Sequence, residues 1–122
     1  MPYLVLNTNV KVADPKAFAA EFSKFAAETI NIPEAYINFQ FNYNDSLIFG
    51  GSFDPCFNLS IANNLQPEMN EGYSKKIFEW LDAKLGVKHD RGYILFTDPG
   101  SGQIGYVFRL QGSPPLHGHW MN

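Results

Sequence analysis

The sequence predicts an α/β fold of the α+β sandwich kind. Tandem β-α-β repeats form a four-stranded mixed sheet, with two helices on one face and short edge strands. Three observations predict it. Two stretches have helical periodicity, and short apolar or alternating runs stand on either side of each. The order reads β-α-β-β and then β-α-β-β, two similar halves. Each half has a strand, a crossover long enough to imply parallel pairing with a right-handed connection, and a returning strand. Two helices cover only one face of such a sheet, and the residues left for the other face are polar but almost uncharged.

Taken in order, Tyr3-Leu4-Val5-Leu6 is an unbroken apolar run, the mark of a strand covered on both faces, closed by Asn7-Thr8-Asn9. Asp14-Pro15 opens a helix, with Asp as N-cap and Pro at the first helical position. Phe18, Phe22, Phe25 and Thr29 follow as its core stripe, and Asn31-Ile32-Pro33 ends it, because a residue before proline disfavours the α region. From Tyr36 to Tyr43 the period is two: Ile37, Phe39, Phe41 and Tyr43 share one face, Asn38, Gln40 and Asn42 the other. Asn44-Asp45 turns the chain into a short segment Leu47-Ile48-Phe49 that ends at Gly50-Gly51.

In the second half Phe57, Leu59 and Ile61 alternate with Asn58, Ser60 and Ala62. A loop through Asn63-Asn64-Leu65-Gln66-Pro67 leads to a helix whose buried face is Tyr73, Ile77, Trp80 or Leu81, and Leu85, terminated by Gly86. Tyr93–Phe96 is the next strand, Asp98-Pro99-Gly100 a turn, and Ile104–Leu110 a last strand. Asn38, Gln40, Asn42, Asn58 and Ser60 then line the uncovered sheet face, which suits a wet surface or a water-lined space between subunits.

At 122 residues, 45% hydrophobic and 16% aromatic, the chain is long enough to bury a core as one domain. Residues 1–110 form that domain, and 111–122 form an extension that opens on the breakers Gln111-Gly112-Ser113-Pro114-Pro115, expected to be flexible or laid on a neighbouring subunit. A net charge of −3 with no basic cluster argues against nucleic acid and anionic membrane surfaces. No apolar run reaches the roughly 20 residues of a membrane span, so no membrane insertion is expected, and the start of the chain lacks the pattern of a secretory signal. With Cys56 alone, no internal disulfide forms. His117 and His119 stand two residues apart with no third ligand in view, short of a metal site, and no cofactor motif is present.

Met1-Pro2 carries two readings. Proline is tolerated at the first residue of a strand because it donates nothing to the ladder. Alternatively, loss of Met1 leaves a secondary amine, a base, at the end of a strand.

Met1-Pro2 leading to Asn7-Thr8-Asn9, Phe49-Gly50-Gly51-Ser52 before Pro55-Cys56, Tyr73-Ser74-Lys75, and Asp90-Arg91 before Tyr93-Ile94 together resemble the macrophage migration inhibitory factor family, over about residues 1–106. The resemblance implies a homotrimer whose sheets surround a solvent channel. It also implies a keto–enol tautomerase of the phenylpyruvate or dopachrome type, and a cytokine-like role through a cell-surface receptor. The expected location is the cytoplasm or, by non-classical secretion, the extracellular space. It makes Pro2 the general base once Met1 is removed and needs no cofactor. An α-amino group of ordinary pKa about 7.7–8.0, desolvated among aromatic side chains, is pushed toward neutrality, where a base is useful. Asn64, Tyr93, Tyr36, Ile104 and Tyr106 are the implied substrate-binding positions for a small aromatic keto or enol compound.

The chain departs from the family pattern at several of these places. Ile32 stands where family members carry a lysine for the substrate carboxylate, and Leu95 where they carry an asparagine. Asn64 replaces an isoleucine, Ile104 a valine and Tyr106 a tryptophan; the partner of Cys56 in the family's Cys-x-x-Cys is Leu59, which removes thiol–disulfide exchange. Losing a charge-assisted contact of about 1.5–3 kcal/mol weakens binding of acidic substrates. The resemblance therefore leaves two readings: an isomerase with a more apolar pocket, or a catalytically weak or inactive homologue that acts by binding a receptor.

Overall fold

The computed structural model describes residues 2–64, 66–106 and 109–110; the side chains of 101, 106, 109 and 110 lie outside that description, as does the expected 111–122 extension with His117 and His119. Strand β1 is Tyr3–Thr8, helix α1 Pro15–Ile30, β2 Asn38–Tyr43, β3 Phe57–Ala62, α2 Asn70–Leu85 and β4 Gly92–Thr97. Two-residue strands β5 (Gly105–Tyr106) and β6 (Arg109–Leu110) follow. The main sheet has the order β2-β1-β3-β4, with β1 parallel to β2, β3 parallel to β4 and the two pairs joined antiparallel. Each half is thus the β-α-β unit that the crossover lengths require.

Local chemistry sets both helices. The Asp14 carboxylate accepts from the Ala17 N–H at 3.1 Å, and Pro15 needs no partner for an N–H it lacks. At the other end Asn31 is left-handed (φ 57°), a conformation that Asn tolerates better than most residues, and Ile32-Pro33 leave the helix. Helix α2 closes on Gly86 at φ 70°, with its N–H bonded to the Asp82 carbonyl at 2.8 Å.

Leu4 and Leu6 of β1, Leu59 and Ile61 of β3, Phe22 of α1 and Leu81 of α2 are all but sealed from solvent. The buried line on α1 runs Phe18, Phe22, Ala26, Ile30, so the expected stripe drifts by one residue after Phe22. Phe25, half-buried, stacks on Trp80 with ring centroids 5.1 Å apart. Trp80 also meets Phe18 and Phe22 edge-on and locks the two helices together, while Leu81 points into the core. Within one chain β1 is covered on one face only: Tyr3 and Val5 lie on the open side.

Across that open face runs a row of amides. Asn42, Asn7 and Asn58 stand in register on β2, β1 and β3; Asn42 Nδ2 donates to Asn7 Oδ1 at 3.1 Å, and Asn7 Nδ2 to Asn58 Oδ1 at 2.8 Å.

Three expected elements differ. Strand β2 starts at Asn38 because Glu34–Tyr36 wind into a 3-10 turn, with the Tyr36 and Ile37 N–H groups bonded to Pro33 and Glu34 carbonyls. Leu47–Phe49 forms no strand: Phe49 and Ser52 make an isolated bridge around Gly50 and Gly51, at φ 60° and 77°. Carbonyls that a strand would offer a neighbour are taken by side chains instead. Asn9 Nδ2 holds Leu47, Phe53 and Asp54, and Arg91 donates to the carbonyls of Phe49 (2.8 Å), Ser52 (3.2 Å), Asp54 (2.8 Å) and Pro55 (3.3 Å). Finally, of the strand expected over 104–110 the described residues give β5 and β6, paired with each other, and 107–108 lie outside the described residues.

Arg91 therefore organises the whole 49–55 loop. Replacing it with methionine is expected to lower stability by about 2 kcal/mol or more, the scale of charge-assisted bonds, as a shift in the urea midpoint. Lysine, lacking the planar fork, should restore only a fraction; full recovery by lysine would mean that charge alone matters.

Candidate functional site

Some of the residues the sequence marks collect with Pro2 at one end of the sheet. Pro2 precedes β1, is under 2% exposed, and its carbonyl accepts the Asn38 N–H at 3.0 Å, which ties the first residue to the start of β2. The C-terminus of α1, the 3-10 turn carrying Tyr36, the end of β3 and the start of α2 surround this corner. A pocket of about 260 Å³ opens there. Its polar lining is made of amides: Asn31, Asn63, Asn64 and Gln66. Ile32, Met69 and Tyr73 supply apolar and aromatic surface, and among the described residues no lysine or arginine contributes to it. Lys11, exposed, follows the opposite end of β1 and offers this pocket no cation.

The structure thus places Ile32 and Asn64 together at the Pro2 end, with Tyr36, half exposed, two residues before the Asn38 bond. Ile104 is partly buried beyond β4, which ends at this same side through the pairing of Thr97 with Ala62. Tyr106 lies in β5, and its side chain is outside the described residues.

Tyr93 is elsewhere. It pairs with Asn58, which pairs with Asn7, so it sits five residues along β1 from Pro2, about 16 Å at the usual rise per residue. It also faces the open side, 72% exposed, as does Leu95 at 62%. A separate cavity of about 390 Å³ lies beside it, lined by Phe49, Gly50, Cys56 and Asn58 among others; Phe49 and Tyr93 rings are 5.2 Å apart. One chain does not bring Tyr93 to Pro2.

The local pattern hides one feature of the pocket. Asn63 continues the inward alternation of Phe57, Leu59 and Ile61, is 5% exposed, and its Oδ1 has no hydrogen-bond partner. Leaving a buried amide oxygen unpaired costs about 1–3 kcal/mol. The other buried polar residue of the described chain, Thr8, is satisfied: its hydroxyl donates to the Cys56 carbonyl at 2.7 Å and accepts from the Val10 N–H. Reading Asn63-Asn64 as plain loop misses its burial; extending the period of two by one step finds its inward position, though not the bare oxygen.

Cys56 is buried with its Sγ toward the Leu47 carbonyl at 3.7 Å. Burial pushes its thiol up, more than the nearby Arg91 charge draws it down, so it stays protonated at neutral pH and is a packed side chain. Among the described residues no three His, Cys, Asp or Glu side chains gather for a metal, and no helix is long and apolar enough to cross a membrane.

The sheet order and the β-α-β pairing match the architecture that the sequence resemblance implies, and the family model of macrophage migration inhibitory factor matches residues 1–110. The chain belongs to the macrophage migration inhibitory factor (MIF) family. The MIF homologue of Trichinella spiralis is 32% identical over 109 residues, spanning 87% of this chain and 96% of its own. MIF of Rattus norvegicus is 29% identical over 109 residues, 87% and 95% of the two chains. The solved structure of the Trichinella spiralis factor superposes with a TM-score of 0.81 at 29% identity, covering 88% of this chain and 98% of that one. The four-stranded mixed sheet with two helices is therefore the MIF fold, and the family includes tautomerase-type isomerases and cytokines.

Proposed function

We propose that this MIF-family chain is an intramolecular isomerase, interconverting keto and enol forms of a small aromatic compound, with Pro2 as its general base after removal of Met1. The observation that carries the reading is the seat of Pro2: buried, pinned by Asn38, and at the end of the sheet where an amide-lined pocket opens. Once residue 1 is gone, the ring nitrogen changes from a tertiary amide to a secondary amine. It takes the proton from the carbon next to the carbonyl; the resulting ammonium then gives a proton to the enolate oxygen. Desolvation disfavours the ammonium and keeps the base available near neutral pH. Amide N–H donors of Asn31, Asn64 and Gln66 suit an oxygen that gains charge during the transfer.

Ile32, in a lining without cations among the described residues, favours a substrate free of a carboxylate, such as an ester. Installing the missing charge tests this. Ile32→Lys should tighten phenylpyruvate binding by ten- to a hundredfold in KM, from a contact of about 1.5–3 kcal/mol, and leave dopachrome methyl ester little changed. Equal effects on both substrates would remove the argument.

In this reading Tyr93 is supplied by a neighbouring copy of a homotrimer, since its own chain holds it far from Pro2; a monomer by light scattering would refute that. The same separation, with the loss of the family lysine at Ile32, favours a second reading: a silent homologue that signals through a receptor, in the cytoplasm or outside the cell. Assays of phenylpyruvate and dopachrome methyl ester against a Pro2→Gly variant separate the two. So does the intact mass, because a retained Met1 leaves Pro2 without a basic nitrogen.

A further inference from the structure

We propose that Asn63 is the positioning residue of the Pro2 amine, its Oδ1 accepting an N–H of Pro2 in the chain that has lost Met1. The inference rests on the reading of Pro2 as the base and adds the group that aims it. Pairing of β1 with β3 ends at Tyr3 opposite Ala62, so the next step along the antiparallel ladder sets Pro2 opposite Asn63. Both belong to the inward face: Leu4 and Leu6 of β1 pair with Ile61 and Leu59, and Pro2 and Asn63 continue those two rows. Asn63 is itself held, its N–H bonded to the Thr97 carbonyl at 3.0 Å, and it lines the pocket.

Its Oδ1 is the unmatched part. A buried amide oxygen without a donor is rare in a folded chain. While Met1 is attached, Pro2 has no N–H to give. Cleavage creates one on the neutral amine and two on the ammonium, beside an acceptor already in place. One N–H directed at Asn63 leaves the other position of the nitrogen for the substrate proton. The titratable groups on the surrounding elements are Glu28 of α1, Glu34 and Tyr36 of the 3-10 turn, Glu68, Glu71 and Tyr73 around the start of α2, Asp98 after β4 and the adjacent Tyr3. All the carboxylates among them are exposed, so Asn63 is the buried polar side chain nearest in register.

An acceptor bonded to an amine favours its protonated form, and an anionic acceptor favours it more. In protein beginning at Pro2 and labelled with [15N]proline, the Pro2 nitrogen is titrated by NMR in the wild type, Asn63→Leu and Asn63→Asp. Leucine keeps the volume without the acceptor. The midpoint is expected to fall by about one pH unit with leucine and to rise by a similar amount with aspartate. The acidic limb of kcat/KM for dopachrome methyl ester should move the same way, with circular dichroism checking that both variants fold. An unmoved Pro2 titration in both folded variants overturns the proposal, even where turnover depends on Pro2. If the titration moves as expected while no substrate turns over faster than in Pro2→Gly, the role of Asn63 stands and the isomerase reading falls.

Discussion

Replacing Pro2 with glycine lowers turnover of dopachrome methyl ester by about a hundredfold or more, the range in which a positioned general base contributes. Glycine after Met1 still yields a free amine once the methionine is lost, so the comparison isolates ring placement and basicity from the mere presence of a chain terminus. The proline ring is under 2% exposed and tied through its carbonyl to Asn38, so its nitrogen occupies one place; a glycine amine has free rotation about its own backbone. Loss of rate should fall on kcat more than on KM, as expected when the missing group acts in the transition state. Circular dichroism must show both proteins folded. Equal rates would end the enzymatic reading and leave the receptor-binding one.

The second large effect is on stability. Gly92 opens β4 directly opposite Phe57, and a Cβ there would overlap the Phe57 ring, 2.7 Å from Cζ and nearer still to Cε1. Phe57 is 1% exposed and packs against Phe78, centroids 5.3 Å apart, so the ring has nowhere to retreat. Gly92→Ala is expected to cost about 1–3 kcal/mol and to lower the thermal midpoint by several degrees. Adding Phe57→Leu should return part of that loss, a coupling that two independent substitutions would not show. If the double variant is simply the sum of the singles, the clash is not the cause.

What the sequence discloses depends on the range of the interaction. The Asp14-Pro15 start, the Asn31 and Gly86 ends and the alternation through Phe57, Leu59 and Ile61 are decided within a few residues, and each stands where the pattern puts it. Leu47–Phe49 reads as a strand because its three apolar residues fit one. Its carbonyls are claimed by Asn9 and Arg91, each about 40 residues away, which no window along the chain reveals. The drift from Phe25 to Ala26 on α1 likewise reflects Trp80 on the other helix. At the site, Pro2, Ile32 and Asn64 are legible through the family resemblance and do gather at one corner. The remoteness of Tyr93 follows from strand register, and the bare oxygen of Asn63 from packing; neither is written in residue types.

The amide row on the open face has a sense of direction. Asn42 gives to Asn7 and Asn7 gives to Asn58, so the oxygen of Asn42 is left at the β2 edge and the N–H groups of Asn58 stand next in line toward Tyr93 and the β4 edge. A surface with an accepting tail and a donating head distinguishes one rotation from another. Two copies facing each other about a two-fold axis set like ends together. In the ring of copies proposed above, the tail of one would advance toward the head of the next, an order in which such a row keeps its direction.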